Sequence, residues 1–217
     1  MVLGIYGASG LGQEVNIVAK KINMESHRWD EIVFIDDVNE LHEINGQKMV
    51  RFNDLIKMYS DLEVVIAVGE PAVREKMYQN VKNNNVPLAT LIHPGVYVDS
   101  TTVIGEGSVI CEGVTLTCNV CIDENVFVQP HAIVGHDIKI GMHSIIGPGC
   151  VIGGGNIIGQ RVYLGLLAGT KEKLKIGNDV ICSAGAIVFR DLPDEVIVVG
   201  NPARIMKHNE DKKVFKE

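Results

Sequence analysis

The chain has 217 residues, 46% of them hydrophobic and only 5% aromatic, with a formal net charge of −7. That length builds one or two cored domains. The acidic balance argues against nucleic acid as a partner, and no apolar run approaches the length of a membrane span. No leader-like segment precedes the first strand pattern, so cytoplasmic residence is expected. The five cysteines, an odd number spread between Cys111 and Cys182, are expected to be reduced there. Cys118 and Cys121 form a CxxC with no second pair to accompany it, and read as small repeat residues.

In chain order, Val2 to Ser9 reads as a buried strand running into a glycine loop, Gly7-Ala8-Ser9-Gly10-Leu11-Gly12. A helix follows with Leu11, Val15, Val18 and Ile22 on one face. Residues 31–37, EIVFIDD, form a second strand that ends in Asp36 and Asp37. This βαβ opening predicts a parallel sheet. The glycine spacing is GxxGxG, and the acidic pair lies further along than a dinucleotide fingerprint wants, so NAD is not expected. A smaller nucleotide with its phosphates on the amides at the helix start fits better. A short helix at 52–59, a strand at 62–69, a helix from Pro71 to about Asn84 and a last strand-like segment at 86–92 complete the unit. Residues 1–94 thus read as a Rossmann-like α/β domain. Gly10, Asp36, Asp37 and Gly69 stand at strand ends, where such sheets hold ligands.

From Val96 to Asp191 the chain divides into sixteen hexads without insertion: VYVDST, TVIGEG, SVICEG and so on to AIVFRD. The third position of each is aliphatic in all but two, Thr170 and Cys182. A period of six is neither a helix face nor a plain alternating strand. It suits a short strand plus a turn, stacked so that one aliphatic per strand feeds a continuous axis. These hexads resemble the left-handed parallel β-helix of hexapeptide-repeat acyltransferases, in which three hexads make one triangular coil; the resemblance implies about five coils. The γ-class carbonic anhydrases use the same coil with three zinc-binding histidines. His131, His136 and His143 do not match that pattern, so no metal is expected.

The glycine loop GASGLG, the FIDD strand end, the AVGEPAVREK segment and the hexads together resemble one branch of those enzymes. These are the sugar acyltransferases of the sialic acid and bacillosamine type, the NeuD and PglD proteins. The resemblance covers essentially the whole chain. It implies an α/β domain that holds a nucleotide sugar, a β-helix over 95–206 that holds acetyl-CoA, and a charged, loosely ordered tail at 207–217. Gly10, Asp36, Asp37 and Gly69 match nucleotide-sugar positions. A carboxylate suits base recognition because it accepts from base N–H groups. His136 matches the catalytic base and Asp137 the acid beside it. An imidazole takes a proton at neutral pH, and a carboxylate orients it.

Gly154 is the expected main-chain oxyanion donor. Ile145, Gly154, Leu166 and Ala184 match acetyl-CoA positions, and Arg204 or Lys207 in GNPARIMK are candidates for the CoA phosphates. His131 and His143 receive no role. The chain departs from relatives that carry His where it has Leu11 and Ile145, and Asn where it has Gln129. The resemblance implies a homotrimer and acetyl transfer to a nucleotide-linked amino sugar. O-acetylation of sialic acid and a non-catalytic scaffold are the alternatives.

Overall fold

A computed structural model describes residues 1–39 and 43–215. Strands β1 (Val2–Tyr6), β2 (Glu31–Ile35), β3 (Glu43–Ile44), β4 (Gln47–Val50) and β5 (Leu62–Ile66) form one sheet, ordered β3-β4-β2-β1-β5. All pairs are parallel except the β3–β4 hairpin. Every residue of β1 and β5 is buried, as expected of strands covered on both faces. Helices α1 (Gly10–Ser26), α2 (Phe52–Met58) and α3 (Pro71–Asn83) flank the sheet. The strand order reverses between β2 and β5 on either side of β1, which opens a crevice at the carboxyl ends of β1 and β5.

The segment 86–92, expected as a final strand of this sheet, divides instead. Leu88 makes one parallel bridge to Val64, whereas β6 (Leu91–Ile92) pairs with β8 and is a rung of the second structure. That structure is a left-handed parallel β-helix. Its two-residue strands β7 to β21 recur every six residues from Val103–Ile104 to Ile187–Val188. They stack into three flat sheets: β7-β10-β13-β16-β19, the β8 stack from β6 to β22 (Val196–Val199), and β9-β12-β15-β18-β21. We name the three prism faces after β7, β8 and β9. The antiparallel strand β23 (Arg204–His208) pairs with β22 at the C-terminal end of the β8 face.

The third-position column lies inside the prism: Ile122, Val128, Val134, Ile140, Ile146 and Ile152 are all buried. Each such side chain contributes about 2 kcal/mol of apolar burial. The two breaks in the column are absorbed. Cys182 is buried, and the Thr170 hydroxyl accepts from Asn156 Nδ2 at 3.0 Å, so no polar group is stranded. The first hexad forms no strand; Asp99 and Thr101 close a turn there.

Corner geometry comes from the sixth hexad position rather than from the frequent glycine at the fourth. Fourteen successive sixth positions, from Gly107 to Gly185, have left-handed φ. Only five of them are glycine; Asn119, Asn125, His131, Asp137 and His143 are among the others. Asn and Asp tolerate this region by bonding locally. Gly135, a fourth-position glycine, answers to crowding, since a Cβ there would lie 2.9 Å from the Gly154 nitrogen on the next coil.

The α/β domain covers the β8 face. Its outward residues Val109, Phe127 and Ile145 are buried, while Val103 on the β7 face and Ile133 and Val151 on the β9 face stay exposed. Docking runs along the edge between the β7 and β8 faces. Asn125, His143, Arg161 and Asp179 stand there one coil apart, and α3 lies against them. Arg74, fully buried, reaches across from α3 and donates to Ile66 O (2.8 Å), Val68 O (3.2 Å), Asn125 O (2.9 Å) and Asn125 Oδ1 (2.7 Å). Arg161 bridges Asp179 (2.8 Å) and Glu75 (3.1 Å).

Candidate functional site

Three groups of residues carry chemistry. The first lines a cleft of about 380 Å³ at the crevice beside β1. Gly7, Ala8 and Ser9 form its loop side and Asp36 and Asp37 its far wall. The loop glycines are fixed by crowding: a Cβ on Gly12 would fall 1.9 Å from Gly7 O, and Gly7 itself has φ of 117°. Gly10 lies one residue past the lining at the start of α1, with nothing within 4 Å of its Cβ position. The open first turn of α1 offers backbone amides and the positive end of its dipole.

Both carboxylates are already engaged within the chain. Asp36 accepts from Val38 N and Asn39 N, each at 2.9 Å, and from Asn39 Nδ2 at 2.7 Å. Burial would raise its pKa, but the donors from Asn39, Val38 and Ala8 outweigh that, and it falls below the ordinary carboxylate value. Asp37 accepts from Phe52 N at 2.9 Å, at the start of α2, and from the Tyr6 hydroxyl. Tyr6 stacks on Phe52 at 5.2 Å. Burial, then the Asp37 carboxylate, raises the Tyr6 pKa, so the hydroxyl keeps its proton and stays a donor. Asp37 therefore has a structural duty at α2 that the strand-end pattern did not reveal.

The second group is an adjoining pocket of about 350 Å³ that shares Ser9 and Val68 with the cleft. It reaches from Leu11 and Gly69 across to Gln129, Ile145 and Tyr163 of the β-helix, and Phe215 closes it. All three positions at which the chain departs from its relatives, Leu11, Gln129 and Ile145, meet in this one pocket. Leu166 and Ala184 lie elsewhere. They stack one coil apart and exposed, on the edge between the β8 and β9 faces, the edge that also carries Gln129.

The third group sits on the edge between the β9 and β7 faces, opposite the covered β8 face. His136 Nδ1 and Asp137 Oδ2 are 2.7 Å apart. Asn119, one coil below, donates its amide to Asp137 Oδ1 at 2.8 Å. The hydrogen bond with His136, and then that from Asn119, lowers the Asp137 pKa. Asp137 thus holds the ring by Nδ1 and leaves Nε2 as the working nitrogen. Nε2 faces Gly154, where a Cβ would come within 2.6 Å of it. Among the described residues the Gly154 amide donates to no protein acceptor, whereas Gly155 N donates to His136 O at 2.7 Å. Asn119 escaped sequence reasoning; its signal was its distance of one coil from Asp137. Arg204 and Lys207 stand exposed on β23, away from all three groups.

His143, the other corner histidine, is 3% exposed at its side chain and belongs to the docking edge. Burial and then the charges of Arg74 and Arg161 push its pKa down to about 4. His131 is exposed, with its ring against Gly113. Among the described residues no cluster of His, Cys, Asp or Glu is arranged to hold a metal ion, and no helix is long and apolar enough to cross a membrane.

Two family models match the chain: the PglD N-terminal domain over residues 2–81 and the bacterial transferase hexapeptide (six repeats) over 120–154. The chain is 30% identical over 118 residues to GDP-perosamine N-acetyltransferase of Escherichia coli O157:H7. That match spans 54% of this chain and 53% of that protein, about half of its length. It is 37% identical over 57 residues to UDP-N-acetylbacillosamine N-acetyltransferase of Bacillus subtilis strain 168, covering 26% of each. Two solved structures are similar over nearly the whole chain. PerB of Caulobacter crescentus, in complex with CoA and GDP-perosamine, has a TM-score of 0.87 at 26% identity, covering 95% of this chain and 98% of that one. The acetyltransferase domain of PglB from Neisseria gonorrhoeae, in complex with acetyl coenzyme A, has a TM-score of 0.88 at 29% identity, covering 94% and 98%. The chain thus joins an α/β domain that matches the PglD N-terminal domain to a prism that carries the hexapeptide repeat, and over nearly its whole length it is similar to these N-acetyltransferases.

Proposed function

We propose that this protein is a cytoplasmic, acetyl-CoA-dependent N-acetyltransferase that acts on a nucleotide-linked amino sugar. The observation that carries the reading is the His136 edge. A carboxylate fixes the ring by Nδ1, and Nε2 faces a glycine whose amide has no acceptor among the described residues. A base and an oxyanion donor side by side are what acyl transfer requires. The amine of the sugar attacks the thioester carbonyl while His136 Nε2 takes its proton. The Gly154 N–H stabilises the oxyanion, which collapses and expels the CoA thiolate. The His136 imidazolium then protonates that thiolate. Asp137 keeps the ring oriented and stabilises its charged form.

The loop amides and Asp36 and Asp37 hold the nucleotide, with Gly10 at the rim, and Gly69 borders the sugar. Ile145 lines the pocket where sugar and thioester meet; Leu166 and Ala184 guide the pantetheine arm. In one copy, however, His136 stands on the edge opposite the face that carries this pocket. The site is complete only when another copy brings its His136 edge to the pocket. This supports a homotrimer, and the exposed Val103, Ile133, Val151 and Ile157 supply apolar area for it.

The test is CoA release from acetyl-CoA with UDP-, GDP- and dTDP-linked 4-amino sugars and with free sialic acid. One amino-sugar nucleotide should turn over, and His136→Ala should lower kcat about a hundredfold to ten-thousandfold with the fold intact. Turnover of sialic acid alone would replace the reading with O-acetylation. Binding of nucleotide sugar without any CoA binding would leave a scaffold.

A further inference from the structure

The charged C-terminal tail, expected to be loosely ordered, is tied down at three points; Lys216 and Glu217 lie outside the described residues. Asn209 Nδ2 donates to Asp179 O at 2.8 Å, and Asn209 N to Glu195 O at 2.9 Å. Lys212 Nζ lies 3.3 Å from Asp179 Oδ2 and 2.9 Å from Glu195 Oε1. The third tie reaches the α/β domain. Val214 N donates to both oxygens of Glu70, at 3.0 and 2.9 Å, and Phe215 N to Glu70 Oε2 at 3.2 Å. Glu70 immediately follows Gly69 at the start of α3. A carboxylate that accepts from two successive backbone amides is a charge-assisted clamp. The clamp places the Phe215 ring edge-on to Tyr163 at 5.8 Å and against Gly69, where a Cβ would meet it at 3.5 Å.

From this geometry we infer that the C-terminal segment is the outer wall of the acceptor-sugar subsite, with Phe215 as the side chain that touches the sugar. The inference rests on the nucleotide-sugar reading above. Phe215 lines the pocket that continues the nucleotide cleft, together with Leu11, Ile145 and Tyr163, and it does so without filling it. Its 60% exposure leaves one ring face open. Leu11, Val68, Ile145, Phe215 and the ring of Tyr163 around a small pocket suit the C–H face of a sugar ring. Glu70, Ser9, Gln129 and the Tyr163 hydroxyl are the polar groups of the lining, and Glu70 is engaged by the clamp. The nucleotide cleft shares only Ser9 and Val68 with this pocket and is lined by no residue of the tail. The tail therefore acts on the sugar moiety and not on the nucleotide.

The test separates those two moieties. Phe215→Ala, Phe215→Tyr and Glu70→Gln are assayed with the amino-sugar nucleotide that wild type turns over, and calorimetry measures binding of the matching nucleoside diphosphate. Phe215→Ala should raise KM for the amino-sugar nucleotide about tenfold. The KM for acetyl-CoA and the Kd of the diphosphate should stay within about twofold, and Phe215→Tyr should restore KM. Glu70→Gln should show the same KM rise together with faster amide exchange at 212–215. An unchanged KM in Phe215→Ala overturns the wall, as does a parallel loss of diphosphate affinity, which would place the effect on the nucleotide. Wild type inactive with every amino-sugar nucleotide would instead sink the acetyltransferase reading and the wall with it.

Discussion

Two histidines seven residues apart on successive hexads have opposite characters. His136 is 64% exposed at its side chain and is oriented by a carboxylate. His143 is 3% exposed and sits between an amide and two guanidinium groups. The hexad pattern treats both as corner residues. Their difference comes from what covers the corner. The edge that carries His143 is roofed by α3, and the edge that carries His136 is bare. Cover removes water and so disfavours the charged imidazole.

The network also dictates the His143 proton. Asn125 Oδ1 is committed to Arg74 at 2.7 Å, so Asn125 Nδ2 must face His143 Nδ1, which lies 3.0 Å away. That nitrogen can only accept, and the ring is neutral with its proton on Nε2. A repeat fold thus makes an exposed, carboxylate-oriented imidazole and a buried strut from one residue type, by choosing which edge another domain covers.

The sharpest way to break this contrast is to remove the cation behind His143. Arg74→Leu leaves the carbonyls of Ile66, Val68 and Asn125 without their donors and should cost about 3 kcal/mol of stability. Urea unfolding should read this loss, while kcat per folded molecule at the distant His136 edge should change little.

Mild acid should act next, on the covered edge. With a folded pKa of about 4 against an ordinary 6.5, His143 is unprotonated in the folded chain and protonated in the unfolded one between those values. Stability therefore rises with pH through that window and is lost as pH falls from 6.5 toward 4. The fall in Tm between pH 7 and pH 5 should shrink in His143→Gln. Asp36, Asp137 and Asp179 have lowered pKa values and give the same sign, but they act below 3.8, outside this window.

The smallest effect sharpens the other side. Asn119→Ala frees one oxygen of Asp137 and should lower kcat about threefold to tenfold, with the Tm and the KM for acetyl-CoA unchanged. No effect on kcat would show that the single bond to His136 holds the pair.

The prism was legible because its inner column is one residue wide and nearly all aliphatic; a two-residue break at Thr170 and Cys182 could not hide it. The α/β domain was legible from its buried strands and its crowded glycines. The corners were not. Left-handed φ falls at the sixth position of every hexad from Gly107 to Gly185, but Asn, His, Asp, Lys, Leu and Gly all occupy it, so no residue type marks it. The partners of His136 were half legible. Asp137 adjoins it in sequence, while Asn119 reaches Asp137 only after the chain has closed a coil of eighteen residues. Arg74 read as one charge in a helix, and nothing local showed that both structures bury it. The tail looked solvated because its charges are dense, yet two backbone amides in it, which no side-chain pattern records, hold it to Glu70.

The uninterrupted register of the prism turns it into a gauge. Successive coils repeat at the spacing of paired strands, about 4.8 Å. Gly154 stands one such step from His136, and Ala184 one step from Leu166. On the proposed function, a long flexible ligand laid along two edges would be measured in whole steps from His136. Chain length between His136 and β22 sets how many steps are available; a change of six residues keeps the inward side chains inward but moves later hexads to another face, so only steps of eighteen leave every face in place.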